Sequence, residues 1–146
     1  MADIPQQKMV LFVDDEKEWI EAYMYELQAC KIEARFIRTI DDADKFLQKN
    51  FDHVALLILD IMMPPGRIFS PGETDLGLRT GVKFYERIRK MAPELPIILL
   101  ANVRDEKVKE RFLNEPHCWF LSKRGTFPHE LVDKVQLILK SKEKKK

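Results

Sequence analysis

Apolar residues fall into two kinds of run along this chain. Five runs are short and continuous: MVLFV at 9 to 13, ARFI at 34 to 37, VALLIL at 54 to 59, PIILLA at 96 to 101 and CWFL at 118 to 121. They are too short for helices and too continuous for strands with one wet face, so they predict five buried parallel strands. Between them the spacing becomes helical. Lys17 to Ala29 carries Ile20, Tyr23, Met24 and Leu27 on one face, and Asp41 to Lys49 opens with Asp41 and Asp42 as capping residues. Val82 to Met91 repeats the pattern with Tyr85, Ile88 and Met91, and Leu131 to Leu139 shows a stripe of Leu131, Val135 and Ile138. Arg104 to Leu113 is mostly charged, and its helix rests on Val108 and Phe112. Strand and helix alternate five times. Parallel strands need crossover connections, so the alternation specifies an α/β fold with helices on both faces of one sheet.

Composition narrows the functions open to such a fold. A chain of 146 residues with 45% apolar content suits one globular domain, with no repeat and no second domain. Lys and Arg number 25 against 24 Asp and Glu, which gives no pull toward nucleic acid or an acidic membrane. No segment approaches the roughly 18 apolar residues of a membrane span, and the opening MADIPQQKM lacks the regions of a secretory signal. A cytoplasmic chain is expected. Cys30 and Cys118 show no CxxC spacing and read as buried thiols, while Trp19 and Trp119 lie within apolar patterns and read as packing residues. His53, His117 and His129 show no mutual spacing.

Chemistry gathers where the strands end. In a doubly wound sheet, ligands bind outside the carboxyl ends of the strands, near the point where strand order reverses. Asp14, Asp15 and Glu16 follow the first strand, Asp60 ends the third, and Lys123 follows the fifth after Ser122. Carboxylates crowded in partial burial repel one another, so such a cluster calls for a cation. Oxygen donors without His or Cys suit a hard ion such as Mg²⁺.

The pair Asp14 and Asp15, DIMMP at 60 to 64, Thr80 and Gly81 ahead of a helix, LPIILLA at 95 to 101 and FLSK at 120 to 123 occur in that order. Over roughly residues 8 to 140 the chain resembles the receiver domain of two-component response regulators. The resemblance implies a flavodoxin-like, doubly wound five-stranded parallel sheet in the order 2-1-3-4-5. Residues 1–146 would form a single receiver domain with a basic tail at 140–146. Asp60 would accept a phosphoryl group from a phosphohistidine on a sensor histidine kinase or phosphotransfer protein. Asp15, Asp60 and the backbone carbonyl of Met62 would ligate Mg²⁺, with Asp14 acting through water and Lys123 pairing with the phosphoryl oxygens. Such a protein is a signalling module and not an enzyme. Its output would be contact with a downstream protein, a homodimer being one form that contact takes.

Several positions depart from the family. The switch residue after strand four, usually Thr or Ser, is Ala101, followed by Asn102, and the switch aromatic on strand five is Phe120, without a hydroxyl. Arg124 stands where a proline usually makes a cis peptide; a non-proline cis bond costs about 2.5 to 4 kcal/mol, so a trans bond is expected. The segment from Pro64 to Gly81 is roughly ten residues longer than the family's turn. It holds four of the five glycines and reads as a mobile, solvated insertion, with Arg67 or Arg79 as candidates to reach a phosphoryl oxygen.

Three other readings compete. A pseudo-receiver would use the fold for binding alone, as Ala101 and Arg124 permit. A haloacid-dehalogenase-like phosphatase wants a second acid two residues after its nucleophile, where this chain has Met62. A nucleotide or flavin enzyme wants a glycine-rich turn after strand one, where the chain reads DDEKEW. The acidic cluster favours the phosphoacceptor.

Overall fold

A computed structural model describes residues 8–101 and 106–143. In chain order it contains β1 (Met9–Val13), α1 (Lys17–Ala29), β2 (Ala34–Ile37), α2 (Ile40–Asn50), β3 (Val54–Asp60), α3 (Thr80–Met91), β4 (Ile97–Ala101), α4 (Glu106–Phe112), β5 (Cys118–Ser122) and α5 (Pro128–Glu143). All strand pairs are parallel and the order is β2-β1-β3-β4-β5. This is the doubly wound arrangement expected from the alternation, with the order reversing between β1 and β3.

The period-two geometry of a strand divides the core into two layers. Leu11, Val13, Leu57, Leu59, Ile97 and Leu99 point to one face, where Ile40, Ala43 and Leu47 of α2, Phe84, Tyr85 and Ile88 of α3, and Val108 and Phe112 of α4 cover them. Val10, Phe12, Leu56, Ile58, Ile98 and Leu100 point to the other, against Ile20, Tyr23 and Leu27 of α1 and Leu131, Val135 and Ile138 of α5. Residues on β1, β3 and β4 are therefore apolar on both faces, which is why their runs are unbroken.

Other expectations need correcting. β2 and β5 are half-buried, because each is an edge strand with only one paired neighbour. Cys30 is exposed just after α1, and Cys118 is intermediate on β5, so the two thiols are not both buried. The N-cap of α2 is Thr39, whose hydroxyl accepts from the Asp42 N–H at 3.1 Å, and the acids behind it lie in the first turn. α5 runs well beyond Leu131 to Leu139 at both ends. Asn102 lies outside the described residues. No peptide bond among the described residues is cis, in keeping with Arg124 in place of a proline. No described helix is long and apolar enough to cross a membrane.

The long connection between β3 and α3 contains no helix, but it is built, not slack. At its near end the Asp41 carboxylate, in the first turn of α2, accepts the backbone N–H groups of Arg67 at 2.9 and 3.0 Å and of Ile68 at 3.3 Å. Gly66 makes this possible: its φ is +67°, and a Cβ there would lie 2.4 Å from an Asp41 oxygen. At its far end the Met63 N–H donates to the Gly77 carbonyl at 3.1 Å, and the Thr80 hydroxyl donates to the Met63 carbonyl. Between these ends Thr74, fully buried, bonds to Ser70 and Pro71, while Ile68 and Phe69 pack on the α2–α4 layer. Gly66 and Gly77, both at positive φ, thus serve defined turns. The backbone of Arg67 is drawn to Asp41, beside α2.

Removing the Asp41 carboxylate tests the near fastening. Asp41→Ala is expected to speed amide exchange at Arg67 and Ile68 while leaving the β-sheet amides protected, at a cost of about 1 kcal/mol for these partly solvated bonds. Unchanged exchange at both amides would show that Asp41 does not hold the loop.

Candidate functional site

Backbone pairing carries each chemical group to the carboxyl edge of the sheet. Asp14 follows β1 directly, and its N–H donates to Ile37 at the end of β2 at 3.1 Å. Asp60 is the last residue of β3, opposite Leu100. The Lys123 N–H donates to the Ala101 carbonyl at 2.9 Å, which extends the β4–β5 pairing by one step and delivers the lysine to the same edge. Thr80 and Gly81 open α3 against the residues after Asp60. The Gly81 N–H reaches the Ile61 carbonyl at 2.9 Å, and a Cβ on Gly81 would stand 2.5 Å from the Asp60 carbonyl and 2.6 Å from the Ile61 Cα. Only glycine lets α3 approach this closely.

At that edge Lys123, 1% exposed, holds three carboxylates. Its Nζ lies 2.8 Å from Asp14 Oδ2, 3.3 Å from Asp60 Oδ2 and 3.4 Å from Glu16 Oε1. The Trp19 ring is 5.7 Å from the same nitrogen. Asp14 Oδ1 accepts the Glu16 N–H at 2.8 Å, and Asp60 Oδ1 accepts the Met62 N–H at 3.3 Å. The Tyr23 hydroxyl donates to the Thr126 carbonyl at 3.2 Å, tying down the turn that follows Lys123.

Charge is the notable property of this pocket. Asp14, Asp15, Glu16 and Asp60 offer oxygens that all lie within 4.8 Å of one another, and among the described residues the Lys123 ammonium faces them. Burial pushes the Asp60 carboxyl up to about 7; the Asp14 charge adds to the rise, and Lys123 and the Met62 N–H oppose it. Burial raises Asp15 as well, with Asp14 and Glu16 contributing. For Lys123 burial alone would lower the pKa, but Asp14, Asp60 and Glu16 together raise it, so the ammonium stays charged. Asp14 Oδ2, although near Lys123, is buried without a well-formed hydrogen bond. Four carboxylates crowded within 4.8 Å of one another fit a hard divalent cation, and an all-oxygen donor set fits Mg²⁺.

Asp14, Asp15, Asp60 and Lys123, singled out in the sequence, come together here. Met62 meets Asp60 through its N–H. Ala101 is buried at the end of β4, and its register partner Ser122 accepts the Gly125 N–H through its hydroxyl at 3.1 Å. Phe120 is half-buried against the α2–α4 layer. Two contacts escaped the sequence reading. Glu16 was grouped with the strand-end acids but given no role of its own, and Trp19, which packs on the core as expected, also faces the lysine; the spacing that turns both toward Lys123 is set by the first turn of α1.

The Asp60 environment predicts a pH-dependent stability. The folded chain keeps a proton on Asp60 that the unfolded chain, with a carboxyl near 3.8, has already released. Stability from this group is therefore lost as pH rises from about 4 to about 7. Without metal, Asp60→Asn is expected to match the native chain near pH 4 and to exceed it at pH 8 by on the order of 2 to 4 kcal/mol. Urea unfolding across that range reads the difference; a gain that fails to grow with pH would refute the buried, repelled Asp60. Mg²⁺ should shrink the gain.

No protein-family model matches this sequence, and no curated protein matches it. Solved structures do. A response regulator receiver domain protein (CheY-like) from Methanospirillum hungatei JF-1 superposes with a TM-score of 0.75 at 20% identity, covering 96% of this chain and 99% of that one. The signal receiver domain of an HD domain-containing protein from Pseudomonas fluorescens Pf-5 gives 0.73 at 20% identity, with coverage of 99% and 96%. A putative response regulator from Chloroflexus aurantiacus J-10-fl gives 0.68 at 26% identity, with coverage of 91% and 98%. Over nearly its whole length the chain has the fold of response regulator receiver (CheY-like) domains.

Proposed function

We propose that Asp60 is a phosphoacceptor in two-component signalling. The observation that carries the reading is the buried Asp60 carboxylate, held between the Lys123 ammonium and the Asp14–Asp15–Glu16 cluster. An Asp60 oxygen attacks the phosphorus of a phosphohistidine on a sensor kinase or phosphotransfer protein. The P–N bond breaks, and its electron pair stays with the imidazole. An acyl phosphate forms on Asp60. Lys123 stands where an ammonium can pair with the transferred group's oxygens, and the Met62 N–H steadies the attacking carboxylate.

Asp15, Asp60 and the Met62 carbonyl would hold Mg²⁺, with Asp14 reaching it through water. When bound, the ion offsets charge on the phosphoryl oxygens and the carboxylates. The output is contact with another protein, and this domain is a signalling module, not an enzyme of turnover. The pseudo-receiver remains the competing reading because of Ala101, a buried methyl at the position of the switch hydroxyl.

Intact mass after mixing with Mg²⁺ and a small phosphodonor should show one added phosphoryl group, absent in Asp60→Asn and absent when the metal is chelated. No uptake from several donors and kinases would favour the pseudo-receiver.

Ala101 leads to a separate outcome. A hydroxyl hydrogen bond to a charged group contributes about 1.5 to 3 kcal/mol, so its absence should weaken the conformational response without preventing phosphorylation. Ala101→Thr should enlarge the beryllofluoride-induced chemical-shift changes around Phe120. Equal responses in the two proteins would show that the hydroxyl does not limit the switch.

A further inference from the structure

Glu16 occupies the N-cap position of α1, yet its side chain makes no capping hydrogen bond. Its own N–H is taken by Asp14 Oδ1, and its carboxylate turns instead to Lys123. An ammonium has three N–H donors. Around Lys123 three carboxylates stand ready for them, two almost fully buried and the third, Glu16, with its side chain 48% exposed. Glu16 is thus the outermost partner, on the solvent side, and its contact is the longest.

The geometry points to Glu16 as a latch for Lys123: a positioning residue that occupies the outward-facing donor until a phosphoryl group takes it. The inference rests on Asp60 as phosphoacceptor. A phosphoryl group added to the buried Asp60 carboxylate can pair with Lys123 only by displacing one of its partners, and Glu16, half exposed, is the partner that water can take over. Asp14, at 2.8 Å and fully buried, keeps its contact, and the Trp19 ring stays within 5.7 Å of the nitrogen. The weakest and most solvated partner is the one displaced. Because that contact is partly screened by water, its release should change affinity for a phosphoryl mimic by a few-fold, not by orders of magnitude.

Beryllofluoride binding at saturating Mg²⁺, measured by calorimetry on the native chain, Glu16→Gln and Glu16→Asp, tests the latch. Glu16→Gln removes the charge, whereas Glu16→Asp keeps the charge and shortens a reach already at 3.4 Å. Both are expected to bind the mimic about threefold more tightly than the native chain. If Glu16→Asp behaves as native while Glu16→Gln gains, the effect is through-space repulsion and the latch is wrong. No gain in either variant also overturns it. A native chain that takes up no beryllofluoride, with Asp60→Asn equally inert, removes the phosphoacceptor reading and the latch with it. Unchanged Glu16 variants beside a native chain that binds remove the latch alone.

Discussion

One lysine inside an excess of negative charge sets the terms for this molecule. Lys123 is almost wholly buried, and a buried ammonium without partners would lose its proton. Asp14 and Asp60 keep it charged, and it in turn makes their burial tolerable. The balance is incomplete, because among the described residues four acids share one base. A pocket left short of positive charge is poorly optimised for stability and well suited to attract a cation and a group that arrives with one.

The sheet makes this arrangement possible. Parallel pairing brings three strand ends to the same edge, and the reversal between β1 and β3 lets α1 and α3 leave on opposite faces, opening a crevice above Asp60. Gly81 then allows α3 to press against the carbonyl of Asp60 itself. Asp60 sits at a strand end whose neighbours are fixed by backbone bonds, and groups carried on a regular element are held more precisely than groups on loops.

Much of this could be read from the residues. The central strands announced themselves because burial on both faces leaves no polar position in Val54 to Leu59 or Ile97 to Ala101. The edge strands were located correctly, but their half-burial was not, since ARFI and CWFL are short and β2 and β5 have a free side that apolar content does not reveal. Asp14, Asp15, Asp60 and Lys123 were legible as strand-end residues. Glu16 was legible as one too, but its contact with Lys123 and that of Trp19 were not, because these depend on how α1 turns after its N-cap. The cap of α2 was misplaced by the same kind of ambiguity: Asp41 looks like a cap, but its carboxylate is used by Gly66, Arg67 and Ile68. A contact between residues 26 apart, as Arg67 and Asp41 are, leaves no trace in local pattern.

That contact also changes what the long β3–α3 connection means for the chain's freedom to vary. Fastened at Arg67 and Ile68 on one side and at Met63, Gly77 and Thr80 on the other, the connection behaves as two short closed loops in place of one long one. Loop-closure entropy rises only with the logarithm of length, about 0.6 kcal/mol for each doubling. Ser70 and Pro71 are held by Thr74 and Glu73, but exposed Gly72 beside them has open space where a side chain would stand, the nearest atom being the Ser70 Oγ at 3.9 Å. The molecule has, in effect, an attachment point at Gly72, within the fastened connection that leaves Asp60, where a small fluorescent group could be carried on a substituted side chain.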